Sequence, residues 1–121
     1  MKLFALRGAI TVSANDAEEI LSGTDELMRE LMSRNDLRPD AMVSCIFTLT
    51  QDLDAEFPAV AARRLGLNHV PLLCTREIPV PGSLPRVIRA LVHYHAPEEH
   101  QPRHAYLREA RSLRADLDAA Q

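Results

Sequence analysis

Cysteine is too scarce in this chain for a disulfide framework. There are two, Cys45 and Cys74, each inside an apolar run, and reduced thiols in a cytoplasmic protein are expected. A basic excess is missing as well. Lys and Arg total 14 against 17 Asp and Glu, leaving a net charge of −3, which argues against a general nucleic-acid binder. Nothing approaches the roughly 18 consecutive apolar residues of a membrane span. Lys2 and the apolar residues after it look like the start of a signal peptide, but Arg7 interrupts the run before an h-region forms. A soluble, cytoplasmic protein with no membrane partner is therefore expected. Also absent are a Gly-rich phosphate loop, a nucleophile elbow, a CxxC pair and any internal repeat.

What is present is ordinary globular composition, 46% hydrophobic and 26% charged over 121 residues. That length makes residues 1–121 a single domain able to bury about two-thirds of the surface of its unfolded chain. Residues 2–12 alternate as a strand does, with Phe4, Leu6, Ile10 and Val12 on one face and Ala5, Arg7 and Ala9 on the other. Arg7 thus stands between two alanines, which leaves room beside it for a ligand or a second chain. The alternative is an edge-strand arginine in solvent. Residues 13–35 form the strongest helix, capped by Asn15 with Glu18 as a capping box. Its apolar stripe is Ile20, Leu21, Thr24, Leu27, Met28 and Leu31, weakened in the middle by Gly23. Residues 41–50 alternate again, with Val43, Cys45, Phe47 and Leu49 on one face and Ser44, Thr48 and Thr50 among those on the other.

An acidic turn at 52–56 precedes a short helix begun at Pro58 and ended by Gly66, which carries Arg63 and Arg64. Arginine there is usually a solvated face. Strand 70–78, a proline-rich loop at 79–85 and segment 86–95 follow. The last reads as a strand or a helix, with strand favoured by its Val and Ile content. Residues 103–114 have helical spacing, with Tyr106, Leu107, Ala110 and Leu113 inward. The sum is an α/β or α+β domain, a mixed sheet packed by helices.

The most informative stretch is Val70 to Arg89, VPLLCTREIPVPGSLPRVIR, which sets Cys74, Glu77 and Arg89 into apolar surroundings. Such groups are costly there unless something polar meets them. Together with Arg7 they point to a pocket for a small anion. Alternation puts Cys74 and Glu77 on opposite faces, so a bulge or twist must join them if both touch one ligand. A metal is not expected. His93 and His95 are two apart and His100 and His104 four apart, but Pro102 divides the second pair and no acidic or cysteine cluster completes a site. Cys74 with a histidine would be a candidate nucleophile, although a thiol in an apolar strand is more often inert core. The remaining set lacks an acid/base pair and suits a substrate with two carboxylates whose transition state needs fixed positive charge.

Taken together, LRGAITV, LDAEFPAVAAR, VPLLCTREIPVPGSLPRVIR and RHAYLREARSLRADL resemble, in order from Arg7 to Leu117, the monofunctional chorismate mutases of the small trimeric type. Val60 stands where relatives often have lysine, and Leu73 where threonine is more usual. The resemblance implies a homotrimer forming a pseudo-α/β barrel, with clefts between subunits as active sites. It implies isomerisation of chorismate to prephenate by a Claisen-type rearrangement, leading into phenylalanine and tyrosine synthesis, with no covalent intermediate and no cofactor. On this likeness Arg89 donates to the ether oxygen of the breaking bond and helps hold a carboxylate. Arg7 and Tyr106 hold the enolpyruvyl carboxylate, and Glu77 and Cys74 meet the ring hydroxyl. Phe57, Arg63, Leu113 and Arg114 border the opening, with Arg63 near the ring carboxylate. The rival reading is a non-catalytic trimeric module for an anion or other small ligand, which has no evident use for Glu77. A metal-dependent enzyme using the histidines is a third reading, and both rank well below the mutase.

Overall fold

The first alternating segment becomes β1 (Lys2–Thr11), which lies inside a five-stranded sheet. A computed structural model describes residues 1–113. After β1 come α1 (Ala17–Arg34), β2 (Met42–Leu49), α2 (Pro58–Arg64), β3 (Leu72–Arg76), β4 (Val87–Ala96) and β5 (Ala105–Leu107). The strand order is β3-β2-β4-β1-β5. β4 is antiparallel to both β1 and β2, while β3 runs parallel to β2 and β5 parallel to β1. The parallel β2–β3 pair needs a crossover, and α2 supplies it. The mixed α+β sheet expected from the sequence is present.

One face of the sheet carries the core. Leu6 and Ile10 of β1, Phe47 of β2 and Ile88 and Val92 of β4 are wholly buried there against Ile20, Leu27, Met28 and Leu31 of α1. The predicted apolar stripe of α1 is buried along its whole length. Thr24 fits within it because its hydroxyl donates to the Ile20 carbonyl at 2.8 Å. The segment left open between strand and helix is strand β4, with Ile88, Ala90, Val92 and Tyr94 buried on one face as alternation requires.

Four local expectations differ from the structure. α1 is capped by Asp16, not Asn15. The Asp16 carboxylate accepts from the Glu19 N–H, and Glu19 in turn accepts from the backbone and hydroxyl of Ser13. Asn15 is diverted to the acidic turn, bonding the Asp54 carboxylate and the N–H groups of Asp54 and Ala55. Val43 is exposed because β2 bulges: Met42 pairs with Tyr94 and Ser44 with His93, leaving Val43 as the extra residue. β3 is shorter than 70–78. Finally, residues 103–114 do not begin as a helix. Ala105–Leu107 add to the open edge of β1, and a 3₁₀ turn follows at Arg108–Ala110. The unpaired backbone groups of β1 outweigh the helical spacing of the side chains. Arg108, at φ 56°, is held by bonds to the Thr11 carbonyl and to Glu26. Tyr106 and Ala110 are still buried, as expected, in a small cluster with Ala9 and Val87. Among the described residues no helix is long and apolar enough to cross a membrane.

Gly23 turns out to be a packing requirement. A Cβ there would lie 2.6 Å from Cγ1 of Val12, inside contact distance of a stiff β-branched side chain. Gly23→Ala should gain up to about 1 kcal/mol in helix propensity. Overpacking should cost about 1–3 kcal/mol. The expected net is a loss of up to about 3 kcal/mol, read as a lower urea midpoint at unchanged slope. A raised midpoint would show that the contact relaxes freely.

Candidate active site

Among the described residues no α-helix covers the opposite face of the sheet, and the strand register arranges its side chains in rows. Thr48 of β2, Arg89 of β4, Ala9 of β1 and Tyr106 of β5 are register partners along one row. Ile46, Leu91 and Arg7 form the next. Residues directly opposite one another point the same way. Arg7 and Arg89 therefore share a face, two guanidiniums separated by small and apolar neighbours.

Glu77 joins them from just beyond β3. Its N–H donates to the Leu49 carbonyl at 2.9 Å, so the ladder between β2 and β3 continues one step past the strand. Alternation then turns the Glu77 carboxylate to the uncovered face, where it accepts a short hydrogen bond from the Thr48 hydroxyl through Oε2. Its other oxygen lies 3.2 Å from Nε of Arg89. That Nε is fully buried, yet its proton is not aligned with the carboxylate or with any other acceptor. Among the described residues this buried donor therefore has no hydrogen-bond acceptor, which is unusual for a buried polar atom.

Arg7, Glu77, Arg89 and Tyr106 line one cavity of about 210 Å³, with Thr48 and Leu91 in its wall. Glu77 and Arg89 also border a second cavity of about 650 Å³, walled by the proline-rich loop and by Ser112 and Leu113. The sequence reading thus finds Arg7, Glu77, Arg89 and Tyr106 gathered at one place, with Leu113 next door. The backbone of Arg7 is tied down by His104, whose Nδ1 accepts the Arg7 N–H at 2.9 Å. Nδ1 is then unprotonated, and the ring carries its proton on Nε2.

Other candidates lie elsewhere. Cys74 pairs with Phe47 in the β2–β3 ladder and packs against the helix-covered core, on the face opposite Glu77. The five β2–β3 pairs run without a shift, so no bulge brings the thiol to the carboxylate. Cys74 instead borders a cavity of about 350 Å³ with Phe57, a residue that is 66% exposed. Arg63 is exposed in the last turn of α2, away from both Glu77 cavities. Arg114 lies outside the described residues. The residue that sequence reasoning missed is Thr48. Its place on the polar face of β2 was legible, but the partner that makes it part of the site comes from a distant loop.

The histidines are spread among other tasks. His93 contacts the Ser44 hydroxyl at 3.1 Å, and His100 the Tyr94 hydroxyl at 2.7 Å. Among the described residues no three His, Cys, Asp or Glu side chains are grouped to hold a metal ion.

Comparison with known proteins finds relatives over nearly the whole chain. Residues 3–117 match the family described as chorismate mutase type I. The chain is 48% identical to chorismate mutase AroH of Thermus thermophilus over 119 residues, 96% of this chain and 97% of that one. It is 38% identical to chorismate mutase AroH of Bacillus subtilis over 120 residues, 97% and 94% of the two chains. A solved chorismate mutase from Clostridium thermocellum superposes with a TM-score of 0.87 at 44% identity, covering 90% of this chain and 98% of that one.

The two thiols should differ in reactivity. Cys45 is buried, and loss of hydration pushes its thiol up to about 12. At pH 8 only about one Cys45 in ten thousand is then thiolate, the reactive form. Titration of the native protein with a thiol reagent should give one fast equivalent per chain, lost in Cys74→Ser, and two after denaturation. Two fast equivalents in the native state would contradict the burial of Cys45.

Proposed function

The chain belongs to the chorismate mutase type I family, and from that premise we propose that it isomerises chorismate to prephenate in clefts between subunits, with Arg89 stabilising the ether oxygen. Chorismate carries two carboxylates, a ring hydroxyl and an enolpyruvyl ether. In the rearrangement a C–O bond breaks as a C–C bond forms, and no proton is transferred. What is asked of the protein is to hold a flexible dianion in its compact reactive conformer and to meet the charge that develops on oxygen. The set on the uncovered face suits that task. Arg7 and Tyr106 bind the enolpyruvyl carboxylate, Glu77 accepts from the ring hydroxyl, and Arg89 donates to the ether oxygen.

The observation that carries this reading is Arg89, which lines the cavity that Arg7 and Glu77 share and whose buried Nε–H has no acceptor among the described residues. A donor already desolvated and fixed in place needs little reorganisation when charge appears opposite it.

The same geometry supports sites shared between chains, as the proposed homotrimer requires. A cavity of about 210 Å³ is below the usual range for a small-molecule site, about 300–1,000 Å³. Phe57, Arg63 and Cys74 are displayed apart from it on the same chain. A cleft using all of these residues needs two chains, one giving Arg7, Glu77, Arg89 and Tyr106 and the other Phe57, Arg63 and Cys74. The uncovered face also exposes apolar side chains, Leu3 at 54% and Leu73 at 60%, as a surface between subunits does.

With purified protein and EDTA present, chorismate should disappear by ultraviolet absorbance, with prephenate confirmed by acid conversion to phenylpyruvate. Arg89→Ala should lower kcat by about a hundred- to a thousandfold, equivalent to about 2.7–4 kcal/mol. Arg89→Lys should fail too, because an ammonium cannot reproduce the forked guanidinium. Near-normal turnover in either variant would refute the role of Arg89. Mixed trimers of Arg89→Ala and Arg63→Ala chains should regain part of the activity, since some clefts then combine both intact residues. No recovery despite exchange of subunits would place each site within one chain.

A further inference from the structure

We infer that Thr48 is a positioning residue for this reaction: by donating to Oε2 of Glu77 it keeps the Glu77 carboxylate for the ligand and stops it from capturing Arg89. The inference rests on the functional reading above and concerns a residue to which that reading gives no task. Three observations carry it. Thr48 lines the same cavity as Glu77 and Arg89. Its hydroxyl makes a short hydrogen bond to Oε2. Arg89 approaches only the other oxygen, Oε1, and leaves the Nε proton without an acceptor.

A guanidinium beside a carboxylate tends toward the bidentate pair, two parallel N–H···O bonds. Such a pair would turn the donors of Arg89 onto Glu77 and away from the cavity. Thr48 opposes this. It is β-branched and therefore stiff about χ1, and it sits on a strand paired on both sides, with Thr75 and Arg89 as register neighbours. Glu77, by contrast, lies past the end of β3 and has a longer side chain with more rotatable bonds. The rigid member fixes the flexible one. With Oε2 engaged by Thr48, the carboxylate is turned so that Arg89 meets it at one oxygen, and a remaining lone pair is free for a ligand hydroxyl.

The test separates hydroxyl from shape. Thr48→Val keeps the volume and branching and removes the donor, whereas Thr48→Ser keeps the donor and removes the methyl. Thr48→Val should lower kcat/KM for chorismate by about ten- to a hundredfold, the range for losing a hydrogen bond to a charged group. Its melting temperature should stay close to the parent's. Thr48→Ser should recover most of that loss, which a packing role would not allow. In a Glu77→Gln background, Thr48→Val should add little further loss, since the two act as one unit. If Glu77→Gln is severely impaired but Thr48→Val is not, or if the two losses add, the positioning role is overturned while the functional reading stands. If Glu77→Gln is fully active, the role of Glu77 and this inference fall while chorismate conversion stands; if the parent protein does not convert chorismate, the functional reading fails and this inference falls with it.

Discussion

The pairing of β1 with β4 is the constraint on which the rest of the molecule depends. Ten residue pairs, from Lys2 opposite Ala96 to Thr11 opposite Val87, run without a slip. Side chains alternate with a period of two, so a shift of one residue would turn Arg7 or Arg89 into the core. The apolar partners prevent it. Leu6, Ile10, Ile88 and Val92 must all face α1, and once they do, both arginines are committed to the other face. Core packing on one side of the sheet is thus what aims the cations on the other.

The second constraint is that the polar face is unfinished. Its residues satisfy one another only in part: Glu77 has Thr48, the backbone of Arg7 has His104, and the Arg89 Nε–H has no acceptor. Buried polar groups are normally paired, and among the described residues this donor, beside a carboxylate, is not. Membership of the chorismate mutase type I family supplies the ligand such a site suits. A reaction that moves no proton needs no general base and no nucleophile. It does need charges held at fixed separation, which a sheet, rigid in two dimensions, holds better than a loop.

Much of this was legible in the residues themselves. Alternation in 2–12 placed Arg7 opposite the core, and alternation in 86–95 did the same for Arg89. The stripe from Ile20 to Leu31 gave α1 and the face it covers. The quoted segments carried the family resemblance. The cap of α1 was misplaced by one residue because Asn15 is bonded to the distant acidic turn, a contact that no local pattern encodes. The spacing of Tyr106, Leu107, Ala110 and Leu113 fits a helix equally well on paper. Only the open edge of β1 makes part of that segment a strand.

The sequence by itself determined the period of each element, and hence which side chains are apolar together and which polar groups are set among them. It determined the chemical inventory too: two arginines, one glutamate, a tyrosine and no acid/base pair. Tertiary structure decided which of these meet. The uninterrupted β2–β3 ladder separates Cys74 from Glu77, although they are three residues apart, because consecutive positions of a strand lie on opposite faces. Continuing that ladder past β3 delivers Glu77 to Thr48, 29 residues away along the chain. Contacts of this kind depend on register between strands, a long-range quantity that local spacing does not contain.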